Sequence, residues 1–588
     1  MRAPRHLPFG AQYLVDGVLF QVWTETDEVE LVREDSEEAL GSFSLREDGV
    51  RELYVPGVNP GARYAYRLNG AGPFPDPASR FQPEGVHGWS EVVDAAFAWS
   101  DADFKAPKLR DCVFYELHVG CFTPEGTYRA AAERLPYLQD LGINIVQLMP
   151  LAAVPGRWNW GYDGVGLFAP TANYGRPEEL RAFVDRCHQL GLGVALDVVY
   201  NHFGPDGAYH RLFHPHFFND AVKTPWGDGL NFDGEGAEIA RRFFISNALY
   251  WLEEFHVDAF RLDATHAMVD QSPRHFLSEL REAVAERAAE LGRACLVIAE
   301  DERNWSRLLQ PQQEGGYALD AVWADDFHHQ IRRATAGDHH GYYQDFLGRP
   351  EDIAATLRQG WFYTGQFSAH RQATRGTSPQ GLRPEQFVVC IQNHDQIGNR
   401  ARGERLHHQV ELDVYLVATT LLLLAPQTPL LFMGQEWAAT SPFLYFTDHE
   451  EALGRLVTEG RRREFAHFPE FQDEASRHRI PDPQAATTFE RSKLKWEELD
   501  EAEHRVVWRW YKGLLELRRE LFRQEREFRA AAEQEQLHLA WHGPEDSIEA
   551  WIHLQAKPLP PRGTATKAQT LFERKGIRVD RQLGANVA

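Results

Sequence analysis

Between residues 112 and 436 the chain alternates apolar strand-like runs with helix-like segments, and the strand-like run recurs eight times. The runs are CVFYELHVG (112–120), INIVQLMPL (143–151), GVALDVVYN (193–201), VDAFRLDA (257–264), ACLVIAED (294–301), ALDAVWADD (318–326), QFVVCIQNH (386–394) and TPLLFMGQE (428–436). Strands this continuously apolar are covered on both faces, as in a parallel sheet dressed with helices. The clearest helices between them are YRAAAERLPYLQDLG, PEELRAFVDRCHQLG, EIARRFFISNALYWLEEF and SPRHFLSELREAVAERAAELG, and VVWRWYKGLLELRREL (506–521) supplies the eighth. Eight β-then-α units predict an α/β chain built on a (β/α)8 TIM barrel. A doubly wound sheet is the alternative architecture that the pattern alone leaves open.

The runs share one polarity. Each begins apolar and ends in polar or charged residues: VVYN, RLDA, IAED, IQNHD, GQE. Barrel enzymes carry their chemistry at the C-terminal ends of the strands. The chain therefore puts its carboxylates where a barrel keeps an active site.

The flanks read differently. VLFQVWT (18–24), EVELVRE (28–34), RELYVPG (51–57) and ARYAYRLNG (62–70) alternate apolar and polar residues, with turn formers between them. They predict an N-terminal β-sandwich over 1–98, carbohydrate-binding-like if the family resemblance given below holds, before a barrel with inserted loops over 99–525. QLHLAWH (536–542) and SIEAWIHLQ (547–555) predict a short C-terminal β-domain over 526–588. KPLPPRGTATKAQ (557–569) reads as loop, and no clean apolar strand follows it.

Composition narrows the partners. With 62 Lys and Arg against 86 Asp and Glu, the formal charge of −24 opposes nucleic acid and anionic membrane surfaces, and leaves a neutral ligand unaffected. Sixteen Trp residues offer aromatic faces, most of them expected in the core. Five Cys, an odd number without a CxxC pair, predict buried free thiols. MRAPRHLPFG has no apolar leader segment, and VYLVATTLLLLA (414–425) is too short to span a bilayer, so a soluble cytoplasmic protein is expected. No HExxH occurs, and neither a metal nor a cofactor is expected.

Three strand ends carry the expected chemistry. Asp263 ends the fourth run, Glu300 the fifth, and Asp395 follows the seventh. Neighbouring strands lie about 4.8 Å apart, which suits the ~5–5.5 Å carboxyl separation of a retaining glycosidase. One carboxylate attacks the anomeric carbon and the other, kept protonated, serves the leaving oxygen. Arg261 shares a strand face with Asp263 and can keep it ionised, although an ordinary buried ion pair would look the same. Asp301 and Glu302 beside Glu300 read as a solvated charge run. His202 and His394 can donate to sugar hydroxyls, and Tyr162 can stack on a ring; structural hydrogen bonding and loop packing are the competing readings. Asp197 and Asn201 in DVVYNH lie between these two uses.

ALDVVYNH, AFRLDATH, LVIAED and IQNHDQIGNR resemble, in order, the four conserved regions of the α-amylase superfamily. By that resemblance Asp263 is the nucleophile, Glu300 the general acid/base and Asp395 the transition-state stabiliser, with Tyr162, His202, Arg261, His394 and Gln396 on the substrate side. Asn201 matches a position that holds calcium in some amylases. Many amylases place Lys-His at the third and fourth positions after the nucleophile; here His266 and Ala267 stand there. FPDPASRFQPEGVHGWSEVVD (74–94), VGCFTPEGTYRAA (119–131), TPWGDGLNFDGEG (224–236), ADDFHHQIR (324–332) and residues 434–465 resemble a trehalose-releasing branch of the superfamily. That branch hydrolyses the α-1,4 bond next to the terminal trehalose of maltooligosyl trehalose, downstream of a maltooligosyl trehalose synthase. Trp437, Phe443 and Phe446, after the eighth run, are the expected contacts to the turned trehalose ring; burial at a domain junction is the competing reading. A glycogen branching enzyme shares the plan, and a catalytically inactive carbohydrate-binding protein would have lost a carboxylate.

Overall fold

The computed structural model describes residues 7–36, 38–465, 471, 473–560 and 568–583. Eight parallel strands close into a barrel in chain order: Phe114–Leu117, Ile145–Leu148, Gly193–Val198, Ala259–Leu262, Leu296–Glu300, Ala321–Trp323, Phe387–Val389 and Thr428–Phe432. Each predicted run supplies one strand. The strands are shorter than the runs because the polar run ends leave the ladder and face the barrel mouth. Leu431 pairs with Tyr115, so the eighth strand returns to the first and the doubly wound alternative falls.

The helices form where the 3.6-residue period predicted them, over Tyr128–Leu141, Pro177–Gln189, Ala237–Phe255, Phe276–Glu290 and Ala502–Phe522. The first shows why it starts and stops. The Thr127 hydroxyl accepts from the Ala130 amide at 3.2 Å, and Gly142 closes the far end at φ +108°, a region open to glycine. The apolar run at 414–425 lies largely in the helix Leu412–Leu424, which has no polar face because it is enclosed on all sides. No helix among the described residues is long and apolar enough to cross a membrane. All five cysteines are buried and free, as expected.

Two stacked layers inside the barrel place the site. Phe114, Ile145, Ala195, Ala259, Ile298, Ala321, Val388 and Leu430 form an apolar floor. Two residues further along their strands, on the same face, stand Glu116, Gln147, Asp197, Arg261, Glu300 and Trp323. The interior thus changes from apolar to polar within one step of the pleat. Small alanines on three strands leave room for the long Arg261 side chain above them.

Before the barrel, two four-stranded antiparallel sheets contain Gly17–Trp23, Val50–Pro56, Val29–Arg33 and Arg63–Leu68, the four predicted strands, and enclose Val18, Phe20, Leu31, Tyr64 and Tyr66. After it comes a five-stranded antiparallel sheet. Gln536–His542 and Asp546–His553 were expected there; Glu527–Glu533, Ala568–Arg574 and Ile577–Leu583 were not. The last two mix charged with apolar residues, and Ile577 and Val579 are fully buried, so the segment without a clean apolar run still supplies the final strands of the sheet. Residues 561–567 of the predicted loop lie outside the described residues.

Candidate active site

Arg261 organises the mouth of the barrel. Its Nη1 lies 2.9 and 2.8 Å from the two carboxylate oxygens of Asp197 and 2.6 Å from Asp263 Oδ1. Its Nη2 lies 3.7 Å from Glu300 Oε2. The guanidinium is wholly buried and sits over the Trp323 ring, 4.4 Å from its centroid. Strand register explains the convergence: Arg261 pairs with Asp197 on one side, and Leu262 with Ala299 on the other. One residue further on, Asp263 and Glu300 leave adjacent strands side by side.

The two carboxyls are held in different ways. Asn201 Nδ2 donates to Asp263 Oδ2 at 2.8 Å and to its carbonyl at 3.1 Å, adding a neutral donor to the Arg261 charge. The remaining amide oxygen of Asn201 is taken by the His202 ring, so this residue orients Asp263 rather than presenting an oxygen to a cation. Glu300 Oε2 accepts from the Ala264 amide at 2.6 Å. That amide points inward because Ala264 adopts a left-handed conformation at φ +39°. Burial pushes the Glu300 carboxyl well above the usual range; Arg261 opposes this, and the charges of Asp263 and Asp395 add to it. A carboxylate held by Arg261 beside a carboxyl that burial favours in its protonated form is an arrangement able to serve acid-assisted displacement at a sugar carbon.

A relay closes the opposite wall. His394 Nδ1 donates to Glu116 Oε1 at 2.6 Å, and its Nε2 lies 2.8 Å from the Tyr162 hydroxyl. That hydroxyl donates to Asp197 Oδ2 at 2.7 Å. Burial opposes a charge on His394, but Asp395 and Glu116 outweigh it and raise the ring to about 9. The imidazolium therefore donates from both nitrogens, and the chain runs from His394 through Tyr162 to Asp197. Burial pushes Asp197 up to about 7 against the pull of Arg261. Asp395 begins a helical turn at His394–Gly398 and is the most open of the three carboxylates, with its side chain 39% exposed. Gln396, half-buried beside it, accepts from the Tyr342 hydroxyl at 3.3 Å. His202 Nε2 lies 3.1 Å from the Tyr162 carbonyl oxygen, and its ring stacks on Trp226 with centroids 5.2 Å apart.

Asp263, Glu300, Asp395, Tyr162, His202, Arg261, His394 and Gln396 thus meet at one mouth. Glu116 was missed. Its signal was a lone acid inside the apolar run VFYEL, which only a buried partner such as His394 can tolerate. Asp301 also departs from expectation: its side chain is buried and paired with Arg303 and Thr265, so it supports the turn after Glu300. His266, half-buried, and Ala267 lie in a 3-10 turn just past Asp263.

Trp437 is a correction. Its ring is fully buried, packed near Tyr137 and Trp496, with Nε1 3.4 Å from Glu498 Oε2. Phe443 and Phe446 are likewise wholly buried. Gly434 and Ala438 at φ +76° and +57° turn the chain away from the mouth and drive the Trp437 ring into the helical shell. Trp437→Ala is therefore expected to destabilise the fold by about 3–5 kcal/mol, as for other buried aromatic truncations. The ratio of rates on maltooligosyl trehalose and plain maltooligosaccharide should stay unchanged, which paired melting and rate measurements would check.

At the far end of the barrel Asp101, His188 and His256 approach closely enough to hold an ion. Arg293 Nη1 already lies 3.0 Å from Asp101 Oδ2, and its Nη2 is 3.4 Å from Asp258. A guanidinium supplies the positive charge there, so the group reads as an ion-pair network.

Residues 88–220 match the family model "Alpha amylase, catalytic domain". The malto-oligosyltrehalose trehalohydrolase of Deinococcus radiodurans is 49% identical over 519 residues, covering 87% of this chain and 82% of its own. The one from Saccharolobus solfataricus is 41% identical over 87% of both chains. A solved structure titled putative alpha amylase, from Salmonella typhimurium, superposes with a TM-score of 0.87 at 36% identity, covering 98% of this chain and 99% of its own. A closed barrel with clustered carboxylates at its mouth, together with relatives this similar over this length, places the chain in the malto-oligosyltrehalose trehalohydrolase family of the α-amylase superfamily.

Proposed function

We propose that this chain hydrolyses the α-1,4-glucosidic bond next to the terminal trehalose of maltooligosyl trehalose, releasing trehalose and a maltooligosaccharide, with retention of configuration. The observation that carries the mechanism is the contact of one guanidinium, Arg261, with both Asp263 and Glu300 at adjacent strand ends. Asp263 attacks the anomeric carbon as the bond to the leaving oxygen breaks, and Glu300 passes its proton to that oxygen. Arg261 and Asn201 hold the Asp263 carboxylate and aim it. Water then attacks the glycosyl–Asp263 ester, giving its proton to Glu300 and freeing the carboxylate. Asp395, His394, Gln396 and His202 border the same space and hold the sugar hydroxyls, and Tyr162 stands under the ring being cleaved.

The enzyme takes its substrate from a maltooligosyl trehalose synthase and works in the cytoplasm. The sandwich spans 1–98, the barrel 99–525 and the C-terminal sheet 526–588. Incubation with maltotriosyl trehalose and maltopentaose side by side tests the reading. Preferential trehalose release supports it; equal cleavage of both, or new branch points, sinks it.

Stereochemistry offers an independent check. Two displacements at one carbon, the first by Asp263, return the starting configuration. The new reducing end should appear first as the α-anomer in early proton NMR spectra, whereas an initial β-anomer would assign Asp263 the wrong role.

A further inference from the structure

At the end of the barrel opposite the carboxylates, the local charge reverses sign. A cavity of about 260 Å³ opens between the entries to the first two strands and the end of the last helix. Arg110, Arg518, Arg519 and Arg523 line it, with Asp111 as the one acidic lining residue. Among the described residues none of these four arginines forms an ion pair, in a chain that carries 86 acidic side chains. Glu520, on the same helix, is taken by Arg581 at 2.6 Å.

Local structure accounts for part of this. Arg518 is buried and donates to the carbonyls of Leu423, Ala425 and Gln427. Cations are also favoured at the end of a helix, where Arg519 stands in the last turn and Arg523 at the C-cap. Arg110 comes from a different segment, however, and crosses to the helix end, where its Nη2 donates to the Gln524 carbonyl at 3.1 Å. Arg519 and Arg523 are exposed and have no side-chain partner among the described residues. Several guanidiniums on one small cavity repel one another unless an anion sits between them.

We propose that this cavity binds the phosphate group of a small phosphorylated molecule. Planar guanidinium forks match the oxygen geometry of phosphate and engage it with paired hydrogen bonds. A cavity of about 260 Å³ has room for inorganic phosphate or a phosphorylated hexose. A bound phosphate would bridge Arg110, at the entry to the first strand, to Arg519 and Arg523, just before the C-terminal sheet begins. It would tie the barrel to its last helix and stabilise the folded chain by mass action.

Melting curves and calorimetric titrations of the full chain test this, with inorganic phosphate in one arm and glucose 6-phosphate in another. Each is compared with sodium chloride at equal ionic strength. The expected result is a saturable rise in Tm and a Kd below about 1 mM for at least one probe. The double variant Arg519→Gln/Arg523→Gln should bind roughly tenfold more weakly or less, while keeping trehalose release. Tighter binding of glucose 6-phosphate marks a sugar phosphate as the ligand, and equal binding marks the phosphate alone. A response no larger than that to chloride, or one unchanged in the double variant, overturns the proposal.

Discussion

Asparagine in place of Asp263 is expected to lower turnover by about four to six orders of magnitude, the scale on which removal of a nucleophile acts. The amide keeps the shape of the carboxylate, and its one oxygen can still accept from Arg261; Asn201 loses its side-chain acceptor but keeps its bond to the main-chain carbonyl at 3.1 Å, so the barrel should fold. Asp197 remains to neutralise the guanidinium through both of its oxygens. What disappears is the negative oxygen that the proposed mechanism joins to the anomeric carbon. A second readout separates this from a general disturbance. Asp263 is among the charges that hold the Glu300 carboxyl high. Without it, Glu300 loses its proton at lower pH, and the alkaline limb of the residual activity should move toward acid. Turnover and its pH profile, measured on protein with an unchanged melting curve, check both. Near-normal turnover in folded protein would remove Asp263 from its role.

Arg261→Met should cost both activity and fold. The guanidinium is wholly buried, and Asp197 beside it has no exposed side-chain surface. Removing one partner of such a pair leaves an uncompensated charge, at about 3–5 kcal/mol. The pH dependence has a definite sign. Burial already raises Asp197 to about 7 with the arginine present. Without Arg261, whose charge lowers it, the folded-state value rises further. The folded variant then binds a proton that the unfolded chain releases above about pH 4. Its stability should therefore fall as pH rises above about 4, and keep falling past pH 7, where the parent protein levels off. Denaturant titrations at pH 5.5 and 8 would show it; equal losses at both pH values would mean that packing over Trp323, not charge, is what Arg261 supplies.

The site was legible in unequal parts. Asp263, Glu300 and Asp395 stood out because each follows an apolar run whose interior has no other use for a charge. Arg261 stood out because the strand period puts it on the face of Asp263. Glu116 did not, since it lies inside its run rather than at the end, and its partner His394 is 278 residues away. Trp437 misled for a related reason. Beyond the end of a strand the two-residue period no longer applies, and two left-handed turns at Gly434 and Ala438 decide which way its ring faces. The strands Ala568–Arg574 and Ile577–Leu583 hid behind charged residues, because a sheet with one open face needs only alternate apolar positions.

By itself, then, the chain determined eight strands, their direction and the end at which the acids collect. These follow from burial along the backbone, which acts on each run separately. Register across the barrel decided the rest. It set Arg261 against Asp197 on one side, carried Asp263 and Glu300 together on the other, and joined His394 to the acid of the first strand. Such pairings depend on how segments far apart in the chain slide past one another before the barrel closes, and the packing of the whole barrel fixes that offset rather than any one of its segments.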